Sequence, residues 1–398
     1  MERSYWRTVS LVSLWQVSAS VCYYAVFAAT PFFREAFDLS RFTVGFVVTA
    51  LTLGYAVWLL PVGTLVDRFG ERRTLVIGLF GLSAGAAAVA GVRTYALLLA
   101  AAFFLGSTYA TAIPGTNKAV YDNIAAGRQN LAMGIKQVGV TAGSGISALL
   151  VTGLAGVLFW QAGFLVAAGT GLLVAVVFAF FYRGATDGGT AESPDFRDLA
   201  RNRPYRALVA AGAFLGAALF TTTGYTVLYV HEAIGTSVAF GGVVLALVQL
   251  FGSVGRLVGG WLSDALPGEP QVRIGAILLV QAVAGALLFV VVAATDTAWS
   301  AVIAFAALGF FVLGNTGVYY SYMATLVAAD EMGGASAGGQ LALVVGSIVA
   351  PPAFGYLADT VGYRGSWWLL ASGTVVASGL LVYSVRLDPP LDESAMQE

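Results

Sequence analysis

The chain has 398 residues, 58% of them hydrophobic and only 10% charged, with a mean hydropathy of +0.82. That composition excludes a water-soluble fold. Twenty Lys and Arg against 21 Asp and Glu leave a net charge of −1, which gives no global basic surface for nucleic acid. One cysteine, Cys22, and one histidine, His231, exclude an intramolecular disulfide, a cysteine metal cluster and a multi-histidine site.

A bilayer core of about 30 Å takes about 20 helical residues. Cutting the chain at charges and turn signals leaves twelve such runs: 8–33, 42–66, 73–92, 95–118, 130–158, 162–182, 205–231, 239–265, 272–294, 298–328, 334–358 and 365–385. The first follows Arg3 and Arg7 and is too long for a signal-peptide core, and Ser20-Val21-Cys22 only faintly resembles a lipoprotein cleavage site, so it is expected to be span 1. With the N-terminus in the cytoplasm, Arg3, Arg7, Arg68, Arg72, Arg73, Lys118, Arg128, Arg183, Arg197, Arg201, Arg203, Arg206, Arg273 and Arg386 fall inside, and only Arg34, Arg41, Arg93 and Arg364 outside. The positive-inside rule therefore predicts that both termini are cytoplasmic; the expected location is the plasma membrane, as a multi-pass integral protein.

The chain repeats. At an offset of 197 residues, Arg34-Glu35-Ala36 meets His231-Glu232-Ala233, Gly63 meets Gly260 and Asp67 meets Asp264; about 13 of 45 positions from 34 to 78 are identical. At an offset of 203, Gln137 meets Gln340, Gly143 meets Gly346 and Ser144 meets Ser347. The expected organisation is a six-helix bundle over 1–182, a polar cytoplasmic linker over 183–204 and a second six-helix bundle over 205–398.

After span 2 the sequence reads Gly63-Thr64-Leu65-Val66-Asp67-Arg68-Phe69-Gly70-Glu71-Arg72-Arg73. This resembles the signature of the major facilitator superfamily, Gly-x-Leu-x-Asp-Arg-x-Gly-Arg-Arg/Lys, between spans 2 and 3. The match holds at Gly63, Leu65, Asp67, Arg68, Gly70 and Arg72 and departs at Glu71; it recurs, weakened, as Gly260-Trp261-Leu262-Ser263-Asp264. The resemblance implies an all-helical membrane protein of two pseudo-symmetric bundles, a default monomer, and a loop that locks the cytoplasmic gate through Asp67, Arg68 and Asp264. Gly63 and Gly260 are expected to permit close helix contact; plain topology anchoring by the loop charges is the other reading. The arginine of many proton-coupled carriers, four residues before a span 4 glycine, is Ala102 here, and the glycine-rich span 5 lacks the Gly-Pro pair of drug antiporters.

Two cations sit within apolar runs, where a charge costs about 2.5–3.5 kcal/mol. Lys136 lies roughly 9 Å into span 5, and Arg256 roughly 12 Å from Asp264 on span 8. The resemblance implies that spans 5 and 8 pack against each other, so both cations can face one cavity; at about 8 Å their repulsion would be roughly 2 kcal/mol. No deep acidic residue is present to offset it, which leaves the substrate as the missing negative charge. Gly255-Arg256-x-x-x-Gly260-x-x-Ser263-Asp264 also resembles helix 8 of oxalate/formate and monocarboxylate carriers, where the arginine binds the carboxylate. The oxalate carriers' helix 11 lysine is absent, since that region is Gly339-Gln340; Gly339 is the repeat partner of Lys136. Alternatively Lys136 snorkels to water and Arg256 pairs with Asp122 or Glu331.

Gln137, Gln340, Asn315, Tyr23, Tyr225 and Tyr319 complete the expected binding set, with Gln16, Ser20, Tyr24, Thr222, Tyr229 and Tyr322 as further polar or aromatic candidates whose other reading is packing. His231, Glu232 and Glu35 are either proton-coupling groups or wet loop-edge residues, and Pro351-Pro352 either a hinge or a static kink. No metal site, cofactor motif, phosphate loop or catalytic constellation appears, so an enzyme is not expected. The expected function is secondary active or facilitative transport of a small solute by rocker-switch alternating access. The substrate is expected to be a small organic or inorganic anion, with a coupling proton or counter-anion as a further partner. The alternatives are efflux of a hydrophobic or cationic compound, and a non-transporting receptor or scaffold.

Overall fold

A computed structural model describes residues 2–125, 128–184, 196–328 and 331–387. Twelve helices among them are long and apolar enough to cross a membrane: α1 (Tyr5–Ala28), α2 (Arg41–Phe69), α3 (Glu71–Gly91), α4 (Tyr95–Asn123), α5 (Leu131–Ala155), α6 (Gln161–Phe181), α7 (Arg203–Glu232), α8 (Val238–Ala265), α9 (Pro270–Val292), α10 (Ala298–Met323), α11 (Met332–Thr360) and α12 (Tyr363–Arg386). No strand occurs among the described residues. In each half the same pairs pack: α1 on α5, α2 on α4 and α3 on α6, then α7 on α11, α8 on α10 and α9 on α12. The halves meet chiefly along α2 with α11 and α5 with α8.

Local chemistry sets the boundaries. Ser40, Thr94, Ser237 and Thr297 cap α2, α4, α8 and α10 by accepting from backbone N–H groups three residues on. The run anticipated to reach residue 33 ends at Ala28, because Pro31 has no N–H to continue the ladder and instead opens the short helix Thr30–Ala36. Tenth in order, α10 stops at Met323, short of residue 328, and contains a π-turn over Gly309–Leu313. The middle of the anticipated linker, 185–195, lies outside the described residues, as does Asp330. Its end forms the helix Phe196–Arg201, and Leu199 packs into the core of the second half.

Close approach depends on glycine, though not on the two glycines expected. A methyl at Gly63 or Gly260 would meet open space. The tight crossings are elsewhere: side chains at Gly54 and Gly106 would strike the α4 and α2 backbones, and those at Gly216 and Gly346 the α11 and α7 backbones. Gly63 and Gly260 lie near the end of the bundle at which α1 begins and α12 finishes, away from these crossings; this is the basic end, and its opposite is the far end.

Candidate functional site

A cavity of about 340 Å³ lies between the halves. α5 delivers Lys136 and Gln137 to it, α8 Arg256 and Ser253, α10 Thr316 and Tyr320, and α11 Gln340. α1, α2 and α4 contribute Gln16, Tyr23, Tyr24, Tyr55 and Tyr109. The two cations thus enter one space from opposite halves, as the resemblance implied.

Among the described residues, no carboxylate pairs with either cation. Lys136 is 3% exposed, and its Nζ donates to the Asn117 side-chain oxygen on α4 at 2.5 Å, a neutral acceptor. Arg256 Nε donates to the Leu313 carbonyl at 3.2 Å. That carbonyl sits at the end of the π-turn, which is closed by a bond from Gly314 N–H to the Gly309 carbonyl and lifts local backbone out of the ordinary α ladder. The carboxylates named as alternative partners are engaged elsewhere: Asp122 pairs with Lys118 at 3.0 Å, and Glu331 accepts from its own Ala328 N–H.

Around the cations the wall is aromatic and amidic. Tyr23 stacks on Tyr109 at 4.0 Å, and Tyr24 meets Tyr23 edge-on at 5.1 Å. Gln340 accepts a short hydrogen bond from Tyr320, which leaves the amide NH₂ of Gln340 as a donor.

Three expected binding residues stand outside this cavity. Tyr225 is fully buried beside the far end, where its hydroxyl donates to the carbonyls of Arg41 at 2.7 Å and Pro351 at 3.0 Å. Tyr319 packs into the second half against Gly212 and donates to the Gly339 carbonyl at 3.4 Å. Asn315 is 2% exposed and its side-chain oxygen has no hydrogen-bond partner among the described residues. Residue type selected Asn315 and Tyr319, but the π-turn inserts an extra residue and turns the following segment, so Thr316, Gly317 and Tyr320 face the cavity instead. Asn117, the partner of Lys136, had no sequence signal beyond being an amide within an apolar run.

The loop after α2 is arranged around single partners. Asp67 lies 3.8 Å from Lys118, Arg68 covers the Phe69 ring, and Arg72 donates to the Ala179 carbonyl at the end of α6 at 2.6 Å. Gly70 adopts φ 78°, in the left-handed region open to glycine. Asp264 is exposed. Glu71, the departure from the signature, is 1% exposed and accepts from Asn123 and the Tyr182 hydroxyl, both at 3.3 Å. Burial, with the Glu71 carboxylate beside it, pushes the Tyr182 phenol above its ordinary pKa, so it stays a donor.

The far end is closed. Glu232 receives Arg34 at 2.6 Å and Arg41 and Tyr363 at 2.7 Å each, and Asp359 takes the Phe42 N–H at 2.9 Å. Glu35 is exposed, and His231 bonds the Thr236 carbonyl of its own loop at 2.7 Å.

Residues 12–342 match the family model described as Major Facilitator Superfamily. The chain is 25% identical to the probable sulfoacetate transporter SauU of Cupriavidus necator, over 93% of this chain and 90% of that protein. It is 24% identical to the hexuronate transporter of Bacillus subtilis, over 90% and 89% respectively. A crystal structure of a bacterial homologue of the human lysosomal transporter Spinster, in an inward-facing and occupied conformation, superposes with a TM-score of 0.82 over 98% of this chain and 99% of that one, at 16% identity. With the matched signature, the half repeat and the twelve-helix fold in place, the chain belongs to the Major Facilitator Superfamily of membrane transporters for small solutes.

Proposed function

We propose that this protein carries a small organic or inorganic anion across the membrane by alternating access, and that the anion binds at Arg256 and Lys136. The observation that carries this reading is a shared cavity with two cations from opposite halves, each held only by neutral oxygens. A buried, unpaired charge is costly, and an anion offsets both at once. The relatives support it, since sulfoacetate and hexuronates are anions. Gln137, Gln340 and the Tyr23 wall frame the ligand.

The basic residues gather at the end where α1 begins and α12 finishes, so that end is cytoplasmic by the positive-inside rule. The ion pairs and side-chain hydrogen bonds joining the halves gather at the opposite end, so this form presents its site to the cytoplasm. On switching, the far-end pairs part and the Gly63–Arg72 loop with Asp264 closes the cytoplasmic side. The protein acts as a monomer in the plasma membrane.

A thermal-shift titration in detergent with formate, oxalate, lactate, nitrate and cyanate tests the reading. A ligand at 100 times its Kd adds about 2.7 kcal/mol to the folded state. Stabilisation by an anion that Arg256→Gln abolishes supports the site. Stabilisation by cationic or neutral compounds alone sinks it and favours efflux.

A further inference from the structure

Each half supplies one cation to the cavity, and the two are not equivalent. Lys136 spends one of its three donors on Asn117, and Arg256 spends Nε on Leu313, which leaves its two terminal nitrogens as a fork. The amide NH₂ of Gln340 adds further donors, because its oxygen is occupied by Tyr320. The cavity therefore offers cationic and amide donors, and no carboxylate stands among the residues that line it. A single anionic group satisfies one cation and leaves the other buried without a counter-charge. The rest of the cavity wall is largely apolar and aromatic, with Tyr23, Tyr109, Leu219, Phe220 and Leu343, which suits a short carbon spacer rather than a fully hydrated ion.

We infer that the substrate is a small dianion, two anionic groups joined by a short carbon spacer, one held by the Arg256 fork and the other by Lys136. This rests on the anion-carrier reading above and narrows it to a substrate class. The dianion also ties α5 of one half to α8 of the other, so the fully bound cavity forms only when both halves grip the same molecule. A monoanion grips one half.

The test is isothermal titration of the purified full chain in detergent at about pH 6.5–7, where short dicarboxylates are already mostly doubly ionised. The probes are malonate, succinate, glutarate and ethanedisulfonate, with acetate, propionate and methanesulfonate as monoanions. The expected result is at least one dianion binding about 10- to 100-fold more tightly than its monoanion counterpart, the scale of one added charge-assisted contact. Lys136→Gln lowers dianion affinity about 10- to 100-fold, to that of the monoanion counterpart, and so removes the preference. Lys136→Arg, which keeps the charge in a protein whose melting profile reports its folding, retains the preference. Equal affinity for dianions and monoanions in wild type, or a preference that survives Lys136→Gln, overturns the dianion assignment; if Arg256→Gln still abolishes binding, the anion reading stands without it. Binding of no anion, or binding indifferent to Arg256→Gln, overturns both.

Discussion

Thr49 Oγ1 on α2 donates to the Ile348 carbonyl on α11 at 2.6 Å, and that carbonyl is the one Pro352 leaves without a helical partner. Pro351 does the same for Ser347, whose carbonyl lies 3.4 Å from the Thr52 hydroxyl, a donor shared with the Val48 carbonyl of its own helix at 3.0 Å. The proline pair thus converts two helical acceptors into contacts between the halves. Replacing both threonines by valine removes about 1 kcal/mol per bond from the far-end-closed form. Cys22 is the sole cysteine and is buried; with it changed to Ala and Val48→Cys placed in the interface, alkylation by an impermeant maleimide from the far side should speed up about 5- to 30-fold. An unchanged rate refutes a role for these bonds in closure.

Glu232 should matter more than Asp359. Its carboxylate is 13% exposed and serves the side chains of Arg34, Arg41 and Tyr363, whereas Asp359, 24% exposed, takes the backbone N–H groups of Arg41 and Phe42 and meets the Arg41 guanidinium only at 3.4 Å. Bonds to charged groups are worth about 1.5–3 kcal/mol, so Glu232→Gln is expected to raise the same alkylation rate about tenfold or more, and Asp359→Asn less. Equal effects would show that Glu232 is not the hub.

The π-turn predicts a separation between neighbouring tyrosines. Tyr320→Phe loses the bond to Gln340 in the cavity and should weaken anion binding about fivefold with little change in Tm. Tyr319→Phe loses a bond to Gly339 inside the second half and should cost about 1 kcal/mol of stability with affinity unchanged. The reverse pattern in titration and thermal melts would place the wrong tyrosine in the site.

Within the signature, Gly70 and Gly63 should part company. Gly70→Ala forces a side chain into φ 78° and is expected to destabilise by about 1–2 kcal/mol. Gly63→Ala meets open space in this conformation and should leave the melt unchanged. If both melt alike, the loop geometry described for Gly70 does not hold.

Much of this was legible in the sequence because the bilayer imposes a length and a composition on each span. Apolar runs gave the twelve helices, and matched Glu, Asp and Ser at a fixed offset gave the halves. Arg256 and Lys136 were legible for the same reason, since a charge in an apolar run stands out. What escaped depends on helical phase and on partners distant in the chain. The π-turn, invisible in composition, put Tyr320 where Tyr319 was expected. Glu71 looked like a mere departure from a signature, yet it is a buried acceptor for Asn123 and Tyr182. Glu232 looked like a loop-edge acid because Arg41, its partner, lies 191 residues away. Tyr225 was chosen as an aromatic on a cavity helix, but its hydroxyl is spent on the far-end closure.

The central claim is tested most directly by flux. Reconstituted into proteoliposomes, the wild-type protein should take up saturably the anion that binds best in titration, and Arg256→Gln should lower kcat/KM about 100-fold, the loss of roughly 2.7 kcal/mol of interaction. Anion uptake that persists in Arg256→Gln and in the Arg256→Gln, Lys136→Gln double variant, or saturable uptake confined to cationic and neutral lipophilic compounds, would contradict an anion held between α5 and α8.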